Sequence, residues 1–220
     1  SLINDVIVAT SKNPLDDLIY DLCNLKKIKV YRGSLKDLLN RYYHCAKKHN
    51  ADHIVRITSD CPLIDPKLID LMIKKYLSLK NVDFLSNTHP PSYPDGFDVE
   101  IFSFQALQKA FRSAKKNYER EHVTPFIRKN SDFNGKTLFS AINYPCDYNF
   151  SDIRMTVDEK VDFDLISILI NNLGTDKSWL EYTNYIIKNN LNKINNSIIR
   201  NEGFLKSIKN DKNGKGTKII

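Results

Sequence analysis

The chain of 220 residues has a formal charge of +7, is 41% apolar and contains four cysteines; that length holds one large domain, or a domain with a tail, around a real core. Cys23, Cys45, Cys61 and Cys146 form no C-x-x-C pair and have no histidine at ligand spacing, so neither a zinc site nor a disulfide framework organises the fold. No apolar run approaches a membrane span and no signal peptide opens the chain, so the expectation is a soluble, cytoplasmic protein with reduced thiols.

The charge is uneven. From Lys188 to Ile220 it is net +6, whereas the preceding 187 residues are net +1. The basicity belongs to the end, and nucleic-acid binding is not expected of the body.

Leu2–Thr10 reads as a strand. Asn13-Pro14 opens a helix with Asp16 and Asp17 in its first turn and Leu15, Leu18, Ile19 and Leu22 at helical spacing. Ile28–Tyr31 is a short strand, and Ser34 caps a helix to about His49. A central strand at Ile54–Ile57 stops at Ser59-Asp60, and Asp65-Pro66 starts the next helix. Val82–Asn87 is a fourth strand. Strands and helices alternating in this way predict a three-layer α/β fold with a mostly parallel sheet.

Thr88–Asp98, with three prolines and a glycine, is a loop, ordered or mobile. Val99–Ser103 is a strand candidate, Phe104–Lys115 a helix, and Asn117–Asn130 a further helix in which Pro125 marks a kink or a first turn. Thr137–Ile142 and Asp152–Val157 are strand candidates, and Val161–Asn171 is an amphipathic helix. The expected organisation is an α/β domain over residues 1–173, a helical extension over 174–190 and a largely disordered Asn- and Lys-rich tail over 191–220.

Several of these segments end on an acid or polar group: Asp60, Asn87, Asp95 and Asp98 with Glu100, and Asp158. In a parallel sheet such ends share one edge, where ligands bind. Two carboxylates brought together repel unless a cation lies between them, and Asp60 with Asp158 is a sensible Mg²⁺ pair. For each acid alone, a helix cap or turn is the competing explanation. Arg32, Arg56, Arg120 and Arg154 are candidate anion contacts, with internal ion pairing the alternative for Arg56 and Arg154, which lie in apolar strands. His122 is either a base or ligand or a structural histidine.

The stretches Arg56-Ile57-Thr58-Ser59-Asp60-Cys61-Pro62-Leu63-Ile64-Asp65, Ser86-Asn87-Thr88, Tyr93-Pro94-Asp95-Gly96-Phe97-Asp98-Val99-Glu100, Glu119-Arg120-Glu121-His122-Val123-Thr124-Pro125 and Arg154-Met155-Thr156-Val157-Asp158-Glu159 occur in that order. Together they resemble the cytidylyltransferase-like family of spore-coat polysaccharide biosynthesis proteins, relatives of the synthetases that make CMP-activated sialic and ulosonic acids. The resemblance implies a Rossmann-like nucleotide-diphospho-sugar transferase fold and transfer of CMP from CTP to a sugar or sugar acid. It implies Mg²⁺ on Asp60 and Asp158. Asn87, Asp95, Asp98 and Glu100 would line the sugar side, with Arg120, His122 and Arg154 as contacts to an acidic sugar. Arg32, Arg56 and Ser59 fall to the nucleotide, and a homodimer through Val99–Arg128 is implied.

The family's opening strand and its glycine- and arginine-bearing loop do not precede Asp5. The expectation is an N-terminally incomplete core, its neighbouring strand edges exposed and its activity as this chain little or none. A non-catalytic binding or scaffold module of the same fold is the alternative.

Overall fold

The computed structural model describes residues 2–213. The strands are β1 (Ile7–Ser11), β2 (Lys29–Gly33), β3 (His53–Arg56), β4 (Phe84–Ser86), β5 (Glu100–Ser103) and β6 (Ala141–Asn143). The helices are α1 (Asp17–Leu25), α2 (Leu38–Lys48), α3 (Pro66–Ser78), α4 (Phe104–Ser113), α5 (Asn117–Glu121), α6 (Pro125–Lys129), α7 (Lys160–Leu173), α8 (Trp179–Lys188) and α9 (Glu202–Lys212). The fold is α/β with mostly parallel strand pairing. Among the described residues the strands lie in two sheets: a parallel β1–β2 pair, with Ile7 opposite Lys29, and a four-stranded sheet of order β3-β5-β4-β6.

The chain divides into two compact units, which cuts across the single domain expected over 1–173. The first holds residues 2–54, 102–141 and 203–213. In it the buried side of α2 (Leu39, Tyr43, Ala46) meets that of α4 (Ala106, Leu107, Ala110). Tyr43 stacks on Phe111 with centroids 4.2 Å apart. The helix expected to start at Ser34 starts later, because Asp37 takes the cap by accepting the Asn40 amide at 2.9 Å. Ser34 Oγ instead accepts the Asp37 amide at 3.1 Å, shaping the turn before the cap. The helix expected over Asn117–Asn130 is two: α5 ends at Glu121, Val123 adopts a φ of +71°, and Pro125 begins α6.

Two expectations for this unit meet a different outcome. The stripe read at Leu15, Leu18, Ile19 and Leu22 is uncovered among the described residues: Leu15, in the 3-10 turn Pro14–Asp16 that precedes α1, and Leu18 and Leu22 on α1 are 84%, 80% and 55% exposed. The tail expected to be disordered carries α9, whose Phe204 ring meets the edge of His122 at 5.1 Å and lies under the Arg128 guanidinium. The Asp211 carboxylate accepts from the Tyr118 amide at 3.0 Å, capping α5. Residues 214–220 of that expected tail lie outside the described residues.

The second unit holds residues 55–101 and 142–202. Leu68, Met72, Phe84, Leu85, Phe97, Val99, Met155, Leu165, Leu169 and Tyr182 form its core. The expected strand at Asp152–Val157 is not one; a single parallel bridge, Asp95 with Arg154, marks its path.

Candidate active site

In the second unit β3 ends at Arg56, and the backbone closes a turn through the Cys61 amide onto Thr58 O at 3.3 Å. Asp65, not Asp60, caps α3: its Oδ1 accepts the Lys67 amide at 2.7 Å, while its Oδ2 takes the Trp179 amide at 3.1 Å. The Asp60 carboxylate caps nothing. Its hydrogen bond among the described residues is a weak one from the Cys61 thiol at 3.5 Å. Burial, then the Asp60 charge, pushes that thiol well above its ordinary range, so Cys61 is a proton-bearing neighbour rather than a nucleophile.

The loop holding Asp60 is laced to the segment before α7. Asp60 O accepts both the Val157 amide at 2.9 Å and the Thr156 hydroxyl at 3.0 Å. One residue further, the Asp158 side chain is 55% exposed. The proline loop joins the same segment, since the Asp95 amide donates to Ile153 O at 2.9 Å and the Met155 amide to Asp95 O at 2.7 Å. Gly96 permits this approach. It has a φ of +104°, and a Cβ there would lie 2.5 Å from the Met155 carbonyl. Asn87 clamps the loop's far end, donating to Phe97 O at 2.7 Å and accepting the Val99 amide at 2.9 Å. The loop is therefore ordered.

Carboxylates and guanidinia alternate across this surface. Arg154 donates to Asp95 at 2.9 Å, to Asp158 at 2.6 Å, and through Nε and Nη2 to both oxygens of Asp162 at 2.9 Å. Burial disfavours the Arg154 cation, but these bonds outweigh it and raise its pKa. Burial likewise pushes Asp162 up, yet bonds from Arg154, Asn195 and the Asp158 and Glu159 amides bring it down to about 2. Arg56 donates to Glu100 at 2.7 Å. Arg200 donates to Asp98 at 2.5 Å and lies 3.6 Å from Asp95. Burial raises Asp95, Arg200 and Arg154 oppose it, and the charges of Asp60 and Asp158 add to it, so both acids lie within electrostatic reach of Asp95. Burial pushes Asp98 up to about 7 despite Arg200, helped by Asp95, Glu100 and Asp60.

The second unit thus contains Arg56, Ser59, Asp60, Asn87, Asp95, Asp98, Glu100, Arg154 and Asp158 of the expected site. Ser59 is exposed. The internal pairing left open for Arg56 and Arg154 is the arrangement the structure holds, and Asn87 is committed to the loop. Arg32, Arg120 and His122 belong to the first unit. There Arg120 is engaged by Asp37 at 2.7 Å and by Phe111 O and Ala114 O. Arg32 is engaged by Asp17 at 2.7 Å and by Ser11 O and Asn13 O. His122 Nε2 meets Ser207 Oγ at 3.1 Å. That unit has its own cavity of about 510 Å³ lined by Lys12, Asn13, Tyr31, Ser34, Asn40 and His44. Asp162, Asn195 and Arg200 were not singled out by sequence. Asp162 stands at helical spacing from the buried Leu165, Ile166 and Leu169 and is itself buried, where the pattern calls for an apolar side chain, and Arg200 carries no motif around it.

The cytidylyltransferase family profile matches residues 1–193. The chain belongs to that family. It is similar to a solved cytidylyltransferase from Leptospira borgpetersenii, with a TM-score of 0.81 and 32% identity over 89% of this chain and 81% of that one. The fold is therefore Rossmann-like, of the nucleotidyltransferase type. An uncharacterized protein of Methanocaldococcus jannaschii is 41% identical over 165 residues, 74% of this chain and 64% of that protein. The spore coat polysaccharide biosynthesis protein SpsF of Bacillus subtilis is 27% identical over 172 residues, 78% of this chain and 69% of that protein. The chain thus spans less than two thirds of the M. jannaschii relative. In this member of the family, Asn195 and Arg200 lie beyond the matched residues yet touch acids inside them.

Proposed function

We propose that this cytidylyltransferase-family protein takes part in transfer of CMP from CTP to a sugar or sugar acid destined for a surface polysaccharide, with Mg²⁺ held by Asp60 and Asp158. The observation that carries the reading is that the Asp60 carboxylate is spent on neither cap nor turn, while its backbone is tied to the segment presenting Asp158. Support also comes from the family and from the B. subtilis relative, a spore coat polysaccharide biosynthesis protein.

The residues suit the metal. Among the described residues no three His, Cys, Asp or Glu side chains converge as ligands. Mg²⁺ needs only one or two carboxylates, filling its other positions with water and phosphate oxygens. Asp158 uses Oδ2 toward Arg154, which leaves Oδ1. When bound, the metal would neutralise charge on the phosphates as the acceptor hydroxyl approaches the α-phosphorus in line. Asp95 and Asp98, backed by guanidinia, supply acceptors for sugar hydroxyls. Asn87 and Gly96 hold the loop that presents them. Self-association through Val99–Arg128 belongs to the same reading, and sedimentation equilibrium tests it.

Calorimetric titration of the chain with CTP and Mg²⁺ tests the centre. Micromolar, metal-dependent binding that Asp60→Asn abolishes, with circular dichroism unchanged, is the expected outcome. Absence of metal-dependent binding in the unsubstituted chain supports the non-catalytic module instead, and normal binding by Asp60→Asn moves the metal elsewhere.

A further inference from the structure

Arg200 reaches the acid surface from outside the family-matched residues 1–193. Its Nη2 donates to Asp98 Oδ1 at 2.5 Å, its Nη1 to Tyr93 O at 3.2 Å, and its Nε lies 3.6 Å from Asp95 Oδ1. The other oxygen of Asp95 is held by Arg154 at 2.9 Å. Two guanidinia thus divide Asp95, one from the matched region and one from beyond it. For the Asp98 side chain, Arg200 is the hydrogen-bond donor found among the described residues. Five positions earlier, Asn195 donates to Asp162 Oδ1 at 2.8 Å and to Arg154 O at 3.3 Å. The same short segment therefore enters the cluster twice.

We propose that Arg200 is a positioning residue of the acceptor side of the site, a clasp from beyond the family core that holds Asp98 and Asp95 in the orientation in which they meet the acceptor. The inference rests on the acceptor-side reading of these acids given above. The charged groups facing Asp98 are Arg200, Asp95, Glu100 and Asp60, with the protonated Cys61 thiol also within its reach, and Arg200 is the cation among them. Glu100 already holds Arg56, and Arg154 is held by Asp95, Asp158 and Asp162. Neither can replace Arg200 without abandoning a buried partner. A buried carboxylate that loses its counter-charge takes up a proton and becomes a donor. Without the clasp, Asp98 would be mostly protonated at neutral pH and would meet a sugar hydroxyl as a donor as well as an acceptor.

The test is a pH titration of the full chain labelled with ¹³Cγ-aspartate, the Asp98 resonance being assigned by its loss in Asp98→Asn. The expected midpoint is near 7 in the wild type. It should rise by about one unit or more in Arg200→Met and return most of the way in Arg200→Lys, which restores the charge without the fork. If Arg200→Met does not fold, Arg200→Gln carries the same comparison. An Asp98 midpoint that stays in place or falls on loss of the cation, or that Lys fails to restore, overturns the clasp. A purely architectural Arg200 lowers the melting temperature without moving the midpoint. Failure of the wild type to bind CTP with Mg²⁺ would instead sink the transferase reading and leave the titration result standing.

Discussion

Arg154 shows how a residue that looks like a substrate contact becomes a structural hub. A guanidinium inside an apolar segment is costly to bury, and here Asp95, Asp158 and Asp162 repay that cost together. Arg154→Met should therefore cost about 3–5 kcal/mol in urea denaturation, because it strands buried carboxylates rather than removing one surface pair. Asp98 makes the opposite kind of prediction. Its pKa is raised to about 7 by burial, so the native state binds more protons than the unfolded chain between about pH 4 and pH 7. Its contribution to stability then falls as pH rises through that window. Urea midpoints measured at pH 5 and pH 8 should show the wild type losing ground relative to Asp98→Asn. Asp60 and Asp158 were visible in the sequence because each ends an apolar run. Asn195 and Arg200 were not, because what gives them meaning is a partner far along the chain, and Asp162 was not, because it is a buried acid at a helix position that the pattern assigns to the core.

Among the elements, local chemistry placed most helices and misplaced some boundaries. Asp65 opens α3 as read, accepting the Lys67 and Leu68 amides, whereas Asn13 caps a 3-10 turn over Pro14–Asp16 by accepting the Leu15 amide, and α1 begins only after that turn. Ser34 and Asp37 compete for one cap, and spacing alone could not say which would take it. The segment 152–157 alternates like a strand, yet its amides and carbonyls are spent on the proline loop and on Asp60, so it runs as a brace. That brace fits because of Gly96. Gly96→Ala combines a φ of +104° with a Cβ 2.5 Å from the Met155 carbonyl, and a loss of about 2–4 kcal/mol is expected. A thermal melt of the variant, beside Gly174→Ala where the nearest atom is a flexible Asp176 oxygen at 3.4 Å, checks it. The α1 stripe is the converse case. Periodicity declared the helix but could not say whether another surface covers it.

Over the whole molecule, the basic end is the feature that composition misjudged. Its Asn- and Lys-rich character argued for disorder, but α9 docks Phe204 and Ser207 on His122 in one unit, and Asn195 and Arg200 bind acids in the other. Deleting residues 195–220 should therefore lower the urea midpoint, by about 3 kcal/mol or more in free energy, where removal of a disordered tail would change nothing. The α/β class and the order of most elements were legible in the sequence, and Asp60 and Asp158 stood out there as candidates, because periodicity and caps are local and survive without neighbours. Which arginines are spent inside, which acids cluster, and that Asn195, Arg200 and Asp211 are tied to residues far earlier in the chain emerge from the folded structure alone. Ion pairing and burial depend on residues about a hundred positions apart being brought within 3 Å, and no local pattern records that.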